Sequence, residues 1–245
     1  TVKNKIAKEV LFLILFCIVY LPYCLNLYLF RFYWDTTAYL NLIEKFIFIA
    51  IEFIIKKWWI MLEVKEPFKK EVKSLNDYIL LITVDAKNYQ KAAVDVVKFL
   101  VNEQGIPGVY VTLNKPYEIV KRTLENNGVD ARLIIFIDAA SRTEAKRVGN
   151  CLYIGSPEKL SDMSVAMDQA VKALPTENKF LVFDSLNTLS IFNKPVTVAR
   201  FVHFLAAKIR EWRIKGVIIT LERETEPALL DELTQLSDAR ADFGG

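Results

Sequence analysis

The sequence predicts an α/β protein, a mostly parallel sheet sandwiched by helices, with an apolar N-terminal segment set apart from it. Two observations lead there. From residue 77 onward, short apolar runs rich in β-branched residues alternate with longer stretches whose apolar positions recur at helical spacing. That alternation is the pattern of strands buried on both faces and joined by crossover helices. The composition also changes along the chain: residues 1–60 hold one proline (Pro22), one arginine (Arg31) and no glycine, and all eight glycines lie at or after Gly105.

The elements follow in order. YILLITV, 78–84, reads as a buried strand. Residues 88–103 place Ala92, Ala93, Val96, Val97, Leu100 and Val101 on one helix face. Gly105 and Pro107–Gly108 break the chain before GVYVTL, 108–113, the second strand. Pro116 suits the first turn of a helix, which ends at Asn126–Asn127–Gly128. RLIIFID, 132–138, is a third strand and CLYI, 151–154, a short fourth. Ser156–Pro157 predicts the cap and start of a helix running to Leu174. KFLVFDSL, 179–186, is the fifth strand. A helix from Pro195 to Lys215, with Val198, Phe201, Val202, Leu205, Ile209 and Trp212 on its apolar side, is expected to stop at Gly216. GVIITL, 216–221, is the sixth strand, a helix covers Pro227–Gln235, and ARADF begins a final edge strand.

The bulk numbers exclude several classes. A length of 245 residues fits one domain with an appendage. The 32 basic and 29 acidic residues nearly balance, so no polyanion-binding field is expected, and with it no nucleic acid. Cys17, Cys24 and Cys151 form no CxxC pair and His203 is the single histidine, which argues against a zinc site or a disulfide framework. Reduced thiols in the cytoplasm are the expectation.

Two readings of the first sixty residues stand side by side. Residues 10–30 are 21 long and uncharged, enough to span a bilayer core of about 30 Å as a helix. The stretch 38–62 carries Glu44, Lys45, Glu52, Lys56 and Lys57 and is a weaker second span. Lysines flank both ends of such a hairpin, which would anchor the rest of the chain at the cytoplasmic side of the membrane. On the other reading, the wealth of Phe, Tyr, Ile, Asn and Lys, all with AT-rich codons, marks an untranslated upstream region, and Met61 is the start. Either way the expected organisation is 1–60 as hairpin or upstream segment, 61–76 as linker and 77–245 as the α/β domain.

Ligands of parallel sheets bind beyond the carboxyl ends of the strands, so the residues after each strand matter most. The turn after the first strand reads VDAKNYQKAA. A phosphate loop of the form G-x-x-x-x-G-K-[ST] needs glycines so that backbone N–H groups close on phosphate oxygens, a lysine for the terminal phosphates and a hydroxyl for magnesium. This turn has no glycine. Lys91 stands near the lysine position, Ala92 replaces the hydroxyl, and Asp85 brings a negative charge to where phosphate would sit. After the fifth strand, FDSLNTL places Asp184 and Ser185 in the form of a Walker B strand, whose aspartate holds magnesium. Apolar strands ending in aspartate are common, and the plain reading is that Asp184 caps a turn.

Together these elements resemble the KaiC-like branch of the RecA superfamily, especially its archaeal members. The resemblance runs from Asp77 to Phe243 and rests on GVYVTLNKPYEIVKRTLENNGVD, LIIFIDAAS, KFLVFDSLNTL and KGVIITLERETEPALLDELTQLSDA. It implies a RecA-like P-loop NTPase core in which Lys91, Asp184 and Ser185 fall at nucleotide-binding positions. Active members carry a glycine-rich loop after the first strand and paired glutamates after the second. Asn114 and Lys115 stand at those glutamate positions, and neither serves as a general base toward water at neutral pH without a large pKa shift.

The expected function is therefore a catalytically inactive pseudo-ATPase, a regulatory or scaffold module in signalling. It needs no cofactor, and its partner is a protein, either itself or an active RecA-like relative. The alternative is a divergent ATPase that binds ATP and magnesium through Lys91, Asp184 and backbone. Three lesser features have bland readings beside functional ones. Lys115, Arg122 and Arg132 form either a basic patch at the strand ends or a solvated face. His203 is expected on the surface beside Arg200 and Arg210. The run LERETEP, 221–227, either guards the crevice or starts a helix, where glutamate favours the N-terminal dipole.

Overall fold

The chain divides into two units, Thr1–Lys65 and Glu66–Gly245. The computed structural model describes residues 75–142 and 146–243, with Lys45, Glu52 and Val72 as isolated positions before them. The expected hairpin over 1–60 and most of the linker lie outside the described residues. Among the described residues, no helix is long and apolar enough to cross a membrane.

Eight strands build one sheet: β1 (Tyr78–Val84), β2 (Gly108–Thr112), β3 (Ile134–Asp138), β4 (Lys146–Val148), β5 (Cys151–Tyr153), β6 (Phe180–Asp184), β7 (Lys215–Leu221) and β8 (Ala239–Asp242). Their order across the sheet is β4-β5-β3-β2-β6-β7-β1-β8. All neighbours are parallel except β4, which runs antiparallel to β5. The helices are α1 (Tyr89–Lys98), α2 (Tyr117–Asn126), α3 (Leu160–Ala173), α4 (Asn187–Phe192), α5 (Pro195–Trp212) and α6 (Pro227–Leu236). The expected α/β architecture is the observed one.

Successive residues of a strand face opposite sides of the sheet, and β1 shows both sides filled. Tyr78, Leu80, Ile82 and Val84 pack with Ala92, Val96 and Val97 of α1 and with Val120 and Leu124 of α2. Ile79 and Leu81 pack on the other side with Met163 and Met167 of α3, Val202, Leu205 and Ile209 of α5, and Leu229 and Leu233 of α6. Burial on both faces is why the strands read as unbroken apolar runs.

Several expected boundaries shift, each for a local reason. The first helix gives way at Phe99–Glu103 to a wider turn of i→i+5 type. Ser156 begins only a turn, its hydroxyl accepting from the Glu158 amide at 3.2 Å, and α3 starts at Leu160. Gly216 does not end α5. Arg213 does, in the left-handed conformation at φ 52°. Gly216 lies within β7 instead, where a Cβ would sit 2.7 Å from the Ile209 side chain of α5. Gly108 likewise opens β2, and a Cβ there would lie 2.4 Å from the Phe180 ring. Both are glycines of close approach rather than chain breakers. The sequence reading did not foresee β4 or α4. At three and six residues, they are too short for a periodic pattern to register.

Candidate functional site

The strand order creates the crevice in which this kind of sheet binds ligands. β1 and β2 lead into α1 and α2 on one face, whereas β6 and β7 lead into α4, α5 and α6 on the other. β6 and β7 lie side by side between β2 and β1. Connections from neighbouring strands therefore diverge at the β2/β6 and β7/β1 boundaries, and a gap opens above the carboxyl ends. To deliver the chain from β1 to β2, α1 must cross β7 and β6. Its first turn is thereby set over the end of β6, where Asp184 lies.

The turn before α1 is short. Only Asp85, Ala86, Lys87 and Asn88 separate Val84 from Tyr89. It is closed by its own groups: the Asn88 amide donates to the Asp85 carbonyl at 3.2 Å and to Asp85 Oδ1 at 2.7 Å. The Asn88 side chain donates to the Phe243 carbonyl at 3.1 Å and pins the turn to the chain leaving β8. The Asn88 amide is thus taken up by Asp85 itself. Asp85–Ala92 spans the eight positions of the phosphate-loop motif, with Asp85 and Gln90 where its glycines would stand and α1 already begun at Tyr89.

Asp184 is 2 % exposed. Its Oδ1 accepts from the Tyr89 hydroxyl and its Oδ2 from the Tyr110 hydroxyl. Asn114 Nδ2 donates to the Tyr89 oxygen at 2.9 Å and approaches Ser185 Oγ at 3.4 Å. Ser185 and Thr188 hydroxyls lie 3.3 Å apart. The Lys115 ammonium is 5.4 Å from the centre of the Tyr89 ring and donates to Gln90 Oε1 at 3.1 Å. Burial pushes the Asp184 carboxyl above its ordinary range, against the pull of the two hydroxyls and of Lys115. Burial, then the Asp184 charge, pushes both tyrosines far up, so they remain protonated donors.

Of the expected site residues, the structure brings together Asp184, Ser185, Asn114 and Lys115. Lys91 is exposed in the first turn of α1, and it does not line the small cavity between α1 and α2 that Tyr89, Lys115, Tyr110 and Asp184 share. That cavity offers a water-sized sphere about 20 Å³, close to what a single water needs. Asp184 does not cap a turn. The two residues that hold the Asp184 carboxylate, Tyr89 and Tyr110, were not expected. A tyrosine inside a strand as apolar as GVYVT was a usable signal, because a buried phenol needs a partner for its hydroxyl.

The ends of the neighbouring strands carry a second buried carboxylate. Asp138 Oδ2 accepts from the Tyr117 amide at 2.8 Å and from Ser141 Oγ at 2.7 Å. Its Oδ1 accepts from the Ala140 and Ser141 amides at 2.9 and 2.8 Å. It thus closes its own loop and holds the start of α2.

Other candidate residues disperse. Arg132 pairs with Asp130 at 2.7 Å in the turn that precedes β3. That is the opposite end of the sheet from Lys115, so of the two readings of Lys115, Arg122 and Arg132 the single basic patch is not the one observed. His203 is exposed, 3.9 Å from Glu232. In the acidic run, Glu222 pairs with Arg240 at 3.0 Å and Glu224 accepts from Asn187 at 3.3 Å. Among the described residues, no group of three or more His, Cys, Asp or Glu could hold a metal ion. Cys151 is buried, and its thiol is pushed up to about 12 by burial and then by Asp138, so it is a packed apolar group rather than a nucleophile.

No curated protein matches the chain. Solved structures do. The uncharacterized protein PH0321 of Pyrococcus horikoshii, in complex with an unknown peptide, is 12% identical, with 74% of this chain and 82% of that one covered and a TM-score of 0.57. PH0250 of the same organism is 16% identical over 71% and 86%, with a TM-score of 0.51. The KaiC-like protein PH0186, also from Pyrococcus horikoshii, is 16% identical over 67% and 71%, with a TM-score of 0.49. At these identities the likeness is one of fold. Residues 93–243, from α1 to the end of β8, match a defined family, and the chain belongs to it: the family of unknown function DUF7504.

Proposed function

We propose that the domain is a RecA-like module without nucleotide chemistry, a pseudo-ATPase that acts as a regulatory or scaffold piece through contact with a protein. The β1–α1 turn carries this reading. It has no glycine to let backbone amides close around a phosphate, and the Asn88 amide already donates to Asp85. Lys91 is exposed and does not line the cavity at Asp184. Asn114 and Lys115, at the positions where active KaiC-like proteins activate water, are engaged with Tyr89 and Gln90. ATP and magnesium do not fit this donor set.

With chemistry set aside, contact is the remaining work for such a domain. The partner in this reading is a second copy or an active RecA-like relative. PH0321, which shares the fold, is described in complex with an unknown peptide, which is in keeping with a protein partner. A calorimetric titration of the full chain with Mg-ATP tests the proposal. No heat of binding is expected at millimolar nucleotide. Micromolar binding with turnover would establish the divergent ATPase instead.

A further inference from the structure

Tyr89 is the meeting point of groups far apart in sequence. Its hydroxyl donates to Asp184, 95 residues away, and accepts from Asn114, 25 residues away. Its ring lies under the Lys115 ammonium, whose own hydrogen bond returns to Gln90 on α1. The first turn of α1 is thereby tied both to the end of β6 and to the loop that follows β2. Tyr110 takes the second oxygen of Asp184, so neither carboxylate oxygen lacks a donor. These three elements meet at the β2/β6 side of the crevice.

We propose that the Tyr89–Asp184 contact is an internal latch that stands in for a bound ligand. A ligand-driven switch requires crevice elements with two arrangements of similar energy, between which the ligand chooses. Here a side chain of the protein has already made the choice. The first turn of α1 and the loop at 113–116 keep one arrangement over the end of β6 with nothing bound. This consequence rests on the nucleotide-free reading above, whereas the latch itself does not.

Hydrogen exchange on the full chain without nucleotide tests it, comparing wild type with Tyr89→Phe and Asn114→Ala. Tyr89→Phe keeps the ring beneath Lys115 and removes only the hydroxyl. Amides of residues 85–92 are expected to exchange on the order of tenfold faster, with β7 unchanged, because a local opening is released without loss of global stability. Asn114 is exposed, and its replacement is expected to speed the same segment by a smaller factor. Should Tyr89→Phe fail to fold, Asn114→Ala carries the test alone. Unchanged exchange at 85–92 in the variants, or faster exchange spread equally through β7, overturns the latch. Added Mg-ATP protecting residues 85–92 of the wild type would overturn the nucleotide-free reading and, with it, the constancy of that arrangement. The two failures are thus told apart.

Discussion

Asp138 and Asp184 end the strands on either side of β2, both in register with Thr112, and both are buried. They are satisfied by different means. Asp138 takes three backbone amides and a serine hydroxyl, all but one of these donors from the three residues that follow it. Asp184 takes two tyrosine hydroxyls, from α1 and β2, and no amide. A carboxylate bound to backbone is part of the fold, because the amides it pairs would otherwise be orphaned. One bound only to distant side chains has partners that a substitution can remove without unmaking a loop or a helix end. In a sheet of this class, that second position is where a ligand site would be expected. In this chain, both oxygens of that carboxylate accept from tyrosine hydroxyls of the protein itself.

The comparison breaks first at Asp138. Asp138→Ala strands the first amide of α2 and two loop amides in a buried place, and a loss of about 2–4 kcal/mol is expected in urea unfolding. A loss smaller than that of Asp184→Ala would reverse the ranking of the two sites. Asp184→Ala leaves two buried phenols without an acceptor and should cost about 1–3 kcal/mol. Asp184→Asn keeps an acceptor and removes a buried charge, so its cost is expected to stay below about 1 kcal/mol.

The pH dependence sharpens the same contrast. The Asp184 carboxyl is raised above its ordinary value of about 3.9. The folded state therefore holds that proton more tightly than the unfolded chain does. The stability this provides is fully present below about pH 4 and is lost as pH rises through the folded value. Asp184→Asn removes this slope, so its stability relative to wild type should improve between about pH 4.5 and 7.5, read as the difference of urea midpoints. A constant difference would count against a perturbed carboxyl. Lys91→Ala gives the smallest effect. On an exposed helix turn away from both aspartates, it should shift stability by less than about 0.5 kcal/mol, and a larger change would mean that Lys91 belongs to the site after all.

Much of the fold was legible because its signals are local. Strands buried on both faces must be apolar throughout, and helices covering them must show a stripe, so β1, β2, β3, β6, β7, α1 and α5 could be read from short windows. β4 and α4 could not, being too short for any period. Gly108 and Gly216 were misread because a glycine required by a neighbour's ring or methyl group looks the same in sequence as one that ends a helix. The lack of glycine in the turn after β1 was equally readable, since it is a matter of residue types in one continuous stretch. Asp184 stood out as a strand-ending carboxylate, but its partners did not, because Tyr89 and Tyr110 belong to other elements.

The sequence by itself therefore determined the α/β class, the covered sheet and the lack of a glycine loop, all properties of residues within a few positions of each other. Only the tertiary structure decided what surrounds Asp184. The order in which strands pair sets which helix turn lies over which strand end, and that order depends on the packing of the whole sheet rather than on any one segment. By carrying α1 across β7 and β6, it brought a tyrosine hydroxyl to the one carboxylate that the motif alone would have assigned to a metal.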